Sequence, residues 1–238
     1  MKVLMISTDE KIFQNGSEVR DRMKDYGELV DLLHIVVLTK NNIRQPLKIS
    51  DKVYAEPLDS AARNIENYAY NLIWKYRSIF KGKDVSFDVV TAQDPFETGR
   101  LGLKLKKTLG AKFQVQVHTD FLSRYFKTES LKNRIRSLVG LNILAQADGV
   151  RVVSERIRNS ILEKKPHLAG KMIVLPIFVD VLKIKNSPVN TNLKQKYPGR
   201  FIVLMASRLT KEKNIGLAIE AIGEIVKKHP QTLLLIVG

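Results

Sequence analysis

The sequence predicts an α/β protein: a doubly wound parallel sheet, followed by the first βαβ unit of a second Rossmann-like domain. Short apolar runs of the buried-strand type alternate with helical periodicity along the whole chain, which is the pattern of βαβ units. The last segment, 201–238, repeats strand, helix and strand once more. Parallel strands are buried on both faces, so continuous apolar runs are their expected sequence.

The first part of the chain contains the elements of the larger sheet in order. Ser17 is expected to cap the first helix and Gly27 to stop it, while Gly110 should end the helix at 97–109. Further helices are predicted at 61–83, within 121–147 and at 155–164. Strands are predicted at 2–7, 33–39, 53–55, 88–92, 113–118, 150–153 and 172–175.

The C-terminal segment predicts a separate βαβ unit. Strands are expected at 201–206 and 233–237, and Asn214 is the expected N-cap of the helix between them. Two strands are too few for a parallel sheet covered on both faces. We therefore expect an N-terminal domain at 1–182, a Pro- and Asn-containing linker at 183–199, and an incomplete second domain at 200–238.

Composition excludes several classes of site. The 238 residues include no cysteine, so disulfides, thiolate metal sites and a cysteine nucleophile are excluded. No apolar run approaches the roughly 20 residues that span a bilayer. We therefore expect a cytoplasmic protein.

The net charge of +16 indicates an acidic partner, and the basic excess is spread along the chain. Nucleic acid, an anionic membrane surface and a phosphorylated substrate are the candidates, but no zinc spacing or RNA-binding motif supports nucleic acid. Residues 131–147 and 61–83 predict basic amphipathic helices that could lie on anionic lipid. The alternative is an apolar stripe that faces the core, with a solvated basic face.

The loop after the strand at 201–206 carries a family resemblance. The runs Ser207-Arg208-Leu209 and 211–214 resemble the donor-site loop of family 4 glycosyltransferases, the retaining enzymes of the GT-B fold. The resemblance implies that Arg208 and Lys213 hold the diphosphate of a nucleotide diphosphate sugar. Fixed cations and a helix N-terminus stabilise the charge that develops on the leaving diphosphate. The alternative is that both are ordinary surface charges.

In the first half, the strongest match is the end of the strand at 113–118. The run His118-Thr119-Asp120 resembles the strand end at which this family places a His in the cleft. Ligands bind beyond the carboxyl ends of the strands in such sheets. The resemblance implies that His118 is a catalytic residue near the transferred sugar and that Asp120 lines the cleft. A structural His, satisfied by a nearby carbonyl, is the alternative.

Two further loops resemble the acceptor side of the same family. Gly16 lies where members have a Gly-rich turn, and Asp94 lies in a loop that resembles the family's acidic turn ahead of Gly99. A plain loop glycine and a turn cap are the alternative roles of Gly16 and Asp94. Residues 147–155 and 171–180 resemble segments that mark the fold.

The resemblance implies a cytoplasmic, retaining glycosyltransferase, peripheral on the inner face of the membrane and active in cell-envelope polysaccharide synthesis. It would move a sugar from a nucleotide diphosphate sugar to a glycan or lipid-linked acceptor, without a cofactor or metal, and the fragment would be inactive alone. Two alternatives remain open. One is a non-catalytic acceptor-binding module or partner-dependent subunit, and the other is a GT-B epimerase or phosphorylase.

Overall fold

The computed structural model describes residues 1–40, 45–59, 71 and 86–238. These separate into two compact units, Met1–Ile177 and Phe178–Gly238. The division runs close to the predicted domain limit at residue 182, and the role of 183–199 as a linker stays a prediction.

The first unit is built on an eight-stranded sheet with the order β3-β4-β2-β1-β5-β6-β7-β8. Every pairing among the described strands of this sheet is parallel except that of β3 with β4. The predicted doubly wound parallel sheet is therefore confirmed. The strands are β1 (Lys2–Ser7), β2 (Leu32–Thr39), β3 (Leu47–Lys48), β4 (Val53–Asp59), β5 (Val89–Ala92), β6 (Lys112–Val117), β7 (Gly149–Val152) and β8 (Met172–Val174).

Serine side chains start most of the helices in this unit. Ser17, Ser123, Ser130 and Ser154 each accept a hydrogen bond from the backbone N–H three residues on.

The long helix predicted at 61–83 lies outside the described residues. Within the described residues, no helix is both long and apolar enough to cross a membrane. The helices are α1 (Glu18–Glu28), α2 (Glu97–Leu109), α3 (Arg124–Glu129), α4 (Leu131–Gln146) and α5 (Glu155–Leu162), with 3-10 turns at Glu10–Phe13 and Pro166–Lys171.

Strand β1 divides the core into two clusters. Leu4 and Ile6 pack into the cluster that contains Phe113, whereas Val3 and Met5 pack into the cluster on the other face. Burial on both faces explains the uninterrupted apolar sequence of this strand. The strand order reverses between β1 and β5, so the crevice beyond their carboxyl ends is the expected ligand position.

Gly27 does not stop α1, and that prediction is wrong. The helix continues to Glu28, and Gly27 is buried inside it. A Cβ at this position would clash with Cγ2 of Val53 in β4. The glycine therefore permits close packing of α1 on the sheet, a tertiary requirement that has the same sequence signature as a helix stop.

The second unit is the predicted βαβ. Strands β9 (Phe201–Ala206) and β10 (Thr232–Val237) pair in parallel, and α8 (Ile215–Lys228) connects them. Two short helices, α6 (Val181–Asn186) and α7 (Leu193–Lys196), precede the unit's sheet. Both strands and the helix expose large apolar side chains, among them Phe201, Leu204, Leu217, Ile219 and Val237.

We expect Gly102→Ala to destabilise the first unit. Gly102 lies in α2 against the ring of Phe113, which is fully buried, and a Cβ there would overlap the ring edge. Overpacking of this kind costs about 1–3 kcal/mol. Gly170→Ala is the matched control because no atom lies within 4 Å of a Cβ at that position. Urea unfolding of both variants measures the effect, and equal stability of the two would contradict the packing argument.

Candidate functional site

Side chains after β1 and β5 tie these strands together at the point where the sheet order reverses. Ser7 Oγ donates a hydrogen bond to Gln93 Oε1 at 2.7 Å, and the Gln93 backbone N–H donates to the Ile6 carbonyl at 3.1 Å. The two loops that begin here therefore have a fixed separation. They carry Gly16 and Asp94, two of the predicted site residues.

The Asp94 carboxylate is used inside its own turn. Its Oδ1 accepts from the Phe96 backbone N–H at 2.7 Å, while its backbone N–H donates to Thr98 Oγ1 at 2.9 Å. Burial raises the pKa of Asp94, although hydrogen bonds from the Phe96 backbone N–H and from Thr98 to its carboxylate oppose the shift. Gly99 completes the turn, because a Cβ there would lie 2.8 Å from the Asp94 carbonyl oxygen. The turn cap weighed for Asp94 is thus present, and its role in lining a cleft stays a prediction.

Gly16 has a left-handed backbone, with φ of 70°, and no atom lies within 4 Å of a Cβ built on it. The glycine thus serves the turn ahead of α1 rather than a close approach to protein atoms.

Asp120 anchors the loop after β6 to α5. Its carboxylate accepts from Ser160 Oγ at 3.3 Å and lies 3.8 Å from the Arg156 guanidinium.

His118 follows β6 directly and belongs to a hydrogen-bonded chain across the sheet. Its Nε2 lies 3.2 Å from Gln116 Oε1, which also accepts from Arg151 Nη1 at 3.1 Å. Because a guanidinium can only donate, the Gln116 atom that faces Arg151 is the oxygen. His118 Nε2 must therefore carry the hydrogen, and Nδ1 is the acceptor of the neutral ring.

Desolvation by the surrounding protein lowers the pKa of His118, and the positive charges of Arg151 and Arg22 lower it further. The side chain is nevertheless exposed at the surface of the first unit. The lowered pKa favours the neutral ring at pH 7. A neutral, exposed imidazole with a fixed tautomer can accept a hydrogen bond from a sugar hydroxyl.

Arg151 is the residue that sequence reasoning missed. Besides Gln116, it donates from Nε to the Leu175 carbonyl at 3.1 Å and from Nη2 to the Pro176 carbonyl at 3.3 Å. It thus joins β6 to the segment after β8. The alternation in β6 could have placed Gln116 on the same face as His118. The partnership with Arg151 depends on the parallel register of β6 and β7, which the sequence does not show.

Arg208 and Lys213 lie in the connection between β9 and α8, and both are exposed. Arg208 Nη2 donates to Glu212 Oε1 at 3.0 Å, and Lys213 ends the 3-10 turn Lys211–Lys213 immediately ahead of the helix. Asn214 occupies the N-cap position in a left-handed conformation, but its side chain makes no capping hydrogen bond. The predicted N-cap position of Asn214 is therefore confirmed, but its side chain gives the first N–H groups of α8 no hydrogen bond.

The sequence profile of Glycosyltransferase Family 4 matches residues 33–182, more than half of the chain. The chain belongs to this family. The matched region of this Family 4 chain contains Asp94, His118 and Asp120, whereas Gly16, Arg208 and Lys213 lie outside it.

Comparison with individual proteins agrees with this assignment. The alpha-monoglucosyldiacylglycerol synthase of Acholeplasma laidlawii is 24% identical over 179 residues, which cover 68% of this chain and 44% of that enzyme. The Family 4 chain thus spans less than half the length of this relative.

Solved structures show the same fold at low sequence identity. The alpha,alpha-trehalose-phosphate synthase of Burkholderia vietnamiensis has a TM-score of 0.62 at 12% identity, covering 99% of this chain and 63% of that one. The UDP-GlcNAc 2-epimerase of Neisseria meningitidis has a TM-score of 0.50 at 16% identity, covering 99% of this chain and 65% of that one. These likenesses support the GT-B fold class and leave the residue roles as predictions.

The described residues hold no cluster of three His, Asp or Glu side chains that could bind a metal ion. The expectation that the reaction needs neither metal nor cofactor stays a prediction, as do the roles of the individual site residues.

We expect NMR titration to give His118 a midpoint below its ordinary value of 6.5, with the hydrogen of the neutral ring on Nε2. Arg151→Gln should raise the midpoint because it removes a neighbouring positive charge, whereas Arg158→Gln should not. Since folding lowers this pKa, the stabilisation linked to His118 is complete above pH 6.5 and is lost as pH falls through the folded-state pKa. A midpoint at or above 6.5 in the unchanged chain would contradict the lowered pKa of His118.

Proposed function

We propose that this Family 4 chain is part of a retaining glycosyltransferase that moves a sugar from a nucleotide diphosphate sugar to a lipid-linked acceptor. Family membership is the observation that carries the proposal, because it covers most of the sheet that would bind the acceptor. The enzyme would act at the cytoplasmic face of a membrane during synthesis of envelope glycans. A free glycan is the second candidate acceptor.

The loop between β9 and α8 supports the donor side of the proposal. It carries Arg208 and Lys213 between the carboxyl end of the parallel strand β9 and the first turn of α8. This position gathers cations, backbone N–H groups and the positive end of a helix dipole. Such groups stabilise a departing diphosphate more than they stabilise the bound donor. The exposed pair of Arg208 with Glu212 is weak enough for the donor to displace it.

The acceptor side rests on His118. Its neutral ring stands at a strand end, and Gln116 fixes the tautomer so that Nδ1 can accept a hydrogen bond. We propose that this atom orients a hydroxyl group near the transferred sugar. A lipid-linked acceptor is favoured because the Acholeplasma relative is named for the synthesis of a glucosyl diacylglycerol.

The exposed apolar faces of the second unit favour a dependence on further polypeptide. Phe201 of β9 is 66% exposed, and Leu217 of α8 is 58% exposed. Elements of a parallel α/β sheet normally bury such side chains. We propose that additional polypeptide, in the same chain or a partner, covers these faces and completes the donor site. A partner-dependent subunit is therefore the second candidate function, and an epimerase or phosphorylase of the same fold is the third.

We expect the 238-residue chain alone to show no appreciable transfer from nucleotide sugars to lipid acceptors, because the proposed donor site relies on polypeptide that covers the exposed apolar side chains of β9 and α8. Radiolabelled transfer assays with a panel of nucleotide sugars measure this. Robust turnover by the chain alone would contradict the need for further polypeptide. Product analysis then separates the classes: a labelled acceptor indicates transfer, a changed free sugar nucleotide indicates epimerisation, and a sugar phosphate indicates phosphorolysis.

We expect a nucleoside diphosphate to shift the amide resonances of 207–215 when it is titrated into the chain. Arg208→Ala and Lys213→Ala should each weaken the interaction roughly tenfold or more, since each removes a charged hydrogen-bond donor. Lys211→Ala is the matched control because this exposed lysine lies in the same turn. Unchanged binding in both test variants, or equal weakening in the control, would remove the diphosphate role.

A further inference from the structure

The outward face of α4 carries three large apolar side chains that are mostly exposed in the described part of the chain. Leu131, Ile135 and Leu138 are 71%, 56% and 73% exposed. At the rotation of an α-helix, these positions fall within an arc of about 60°. The opposite side of the helix is the one that packs into the core, through Ile143 and Leu144. The exposed stripe is therefore separate from the side of α4 that packs into the core.

Positive charges border this stripe on both sides. On α4, the exposed side chains of Lys132 and Arg134 flank it. On the neighbouring helix α2, the exposed side chains of Arg100, Lys104 and Lys107 follow each other at helical spacing and form one row.

A shallow groove separates the two helices. One part, of about 380 Å³, is lined by Phe96, Arg100, Ile135 and Val139 among others, and the next, of about 370 Å³, includes Leu103. The floor of the groove is thus apolar and its α2 rim is basic.

One acidic side chain lies within this surface and is already neutralised. Glu97 Oε1 accepts from Arg136 Nη2 at 2.7 Å and lies 3.2 Å from Lys132 Nζ. The Arg136 guanidinium also lies 5.5 Å from the centre of the Phe96 ring. The local excess of positive charge therefore comes from the lysines and arginines that border the groove.

We propose that the α2–α4 surface, formed by the exposed stripe of α4 and the basic row of α2, docks onto an anionic phospholipid bilayer. Aliphatic side chains enter the interfacial region of the bilayer, while flanking cations pair with lipid phosphates. The charge selects this occupant: a second copy of the chain would bring the same cations against each other, and nucleic acid offers no place for three aliphatic side chains.

The position of the surface agrees with a lipid acceptor, although the docking does not depend on glycosyl transfer. Glu97 is the first residue of α2 and follows the Asp94 turn at the carboxyl edge of the sheet. The salt bridge of Lys132 with Glu97 fixes the start of α4 at that same edge. A bilayer on this surface would lie beside the edge of the sheet that carries His118.

The test is co-sedimentation of the 238-residue chain with vesicles, without any donor. We expect binding to equimolar phosphatidylcholine and phosphatidylglycerol, little binding to phosphatidylcholine alone, and weaker binding at high salt. The double variant Ile135→Gln/Leu138→Gln should weaken partition roughly tenfold for each apolar side chain lost. Arg100→Gln/Lys107→Gln should weaken it about fivefold for each charge.

The matched controls are Leu29→Gln and Lys164→Gln, both outside this surface. Leu29 is 81% exposed, and Lys164 is an exposed lysine that follows α5. Both should bind as the unchanged chain does, and thermal unfolding should be the same for every variant because the changed side chains are exposed. Unchanged vesicle binding in the two test variants would overturn the proposal. So would equal binding to neutral vesicles, or sedimentation equilibrium showing a dimer that the Ile135 and Leu138 changes dissociate.

Discussion

The burial of β1 on both faces is the constraint on which the arrangement of the first unit depends. Leu4 and Ile6 are fully buried in one cluster, and Val3 and Met5 are largely buried in the other, so the strand can occupy only the interior of a sheet covered on both sides. With β2 on one side and β5 on the other, the chain must reverse its winding there. The reversal opens the crevice beside which the candidate residues stand.

Local signals made part of the fold predictable. The bounds of β1, α2 and β9 agree with the expectation, since each has its apolar pattern and its end signals within a few residues; Gly110, for example, ends α2 with φ of 66°. Strand β4 was predicted four residues too short because Glu56 and Pro57 are poor strand residues. The fold accommodates both residues. Glu56 lies 3.5 Å from His34 of β2, and among the described residues β3 pairs only with Tyr54 and Ala55, so the rest of β4 has no described strand neighbour on that side.

The candidate site shows the same division between local and long-range information. The place of His118 at a strand end and the turn cap of Asp94 depend on residues close in sequence, and both could be anticipated. The His118 ring is held by Gln116, two residues away, but Gln116 is itself held by Arg151 of β7, 35 residues along the chain. Arg151 is held in turn by carbonyls of the segment after β8. Their approach is decided by strand register and side-chain packing, which composition and periodicity do not encode.

The role that each positively charged side chain can have depends on the groups that surround it. Arg151 is held by two backbone carbonyls and a glutamine, so its charge orients neighbours and keeps His118 neutral. Arg208 and Lys213 are exposed at the head of a helix, where small anions are favoured. The cations of α2 and α4 border exposed aliphatic side chains. This combination suits a lipid bilayer, which has anionic headgroups at its surface and apolar chains beneath them. A net charge of +16 would by itself predict only attraction to acidic partners. We propose that surrounding carbonyls give a cation a structural role, that a helix N-terminus favours diphosphate binding, and that apolar neighbours favour lipid docking.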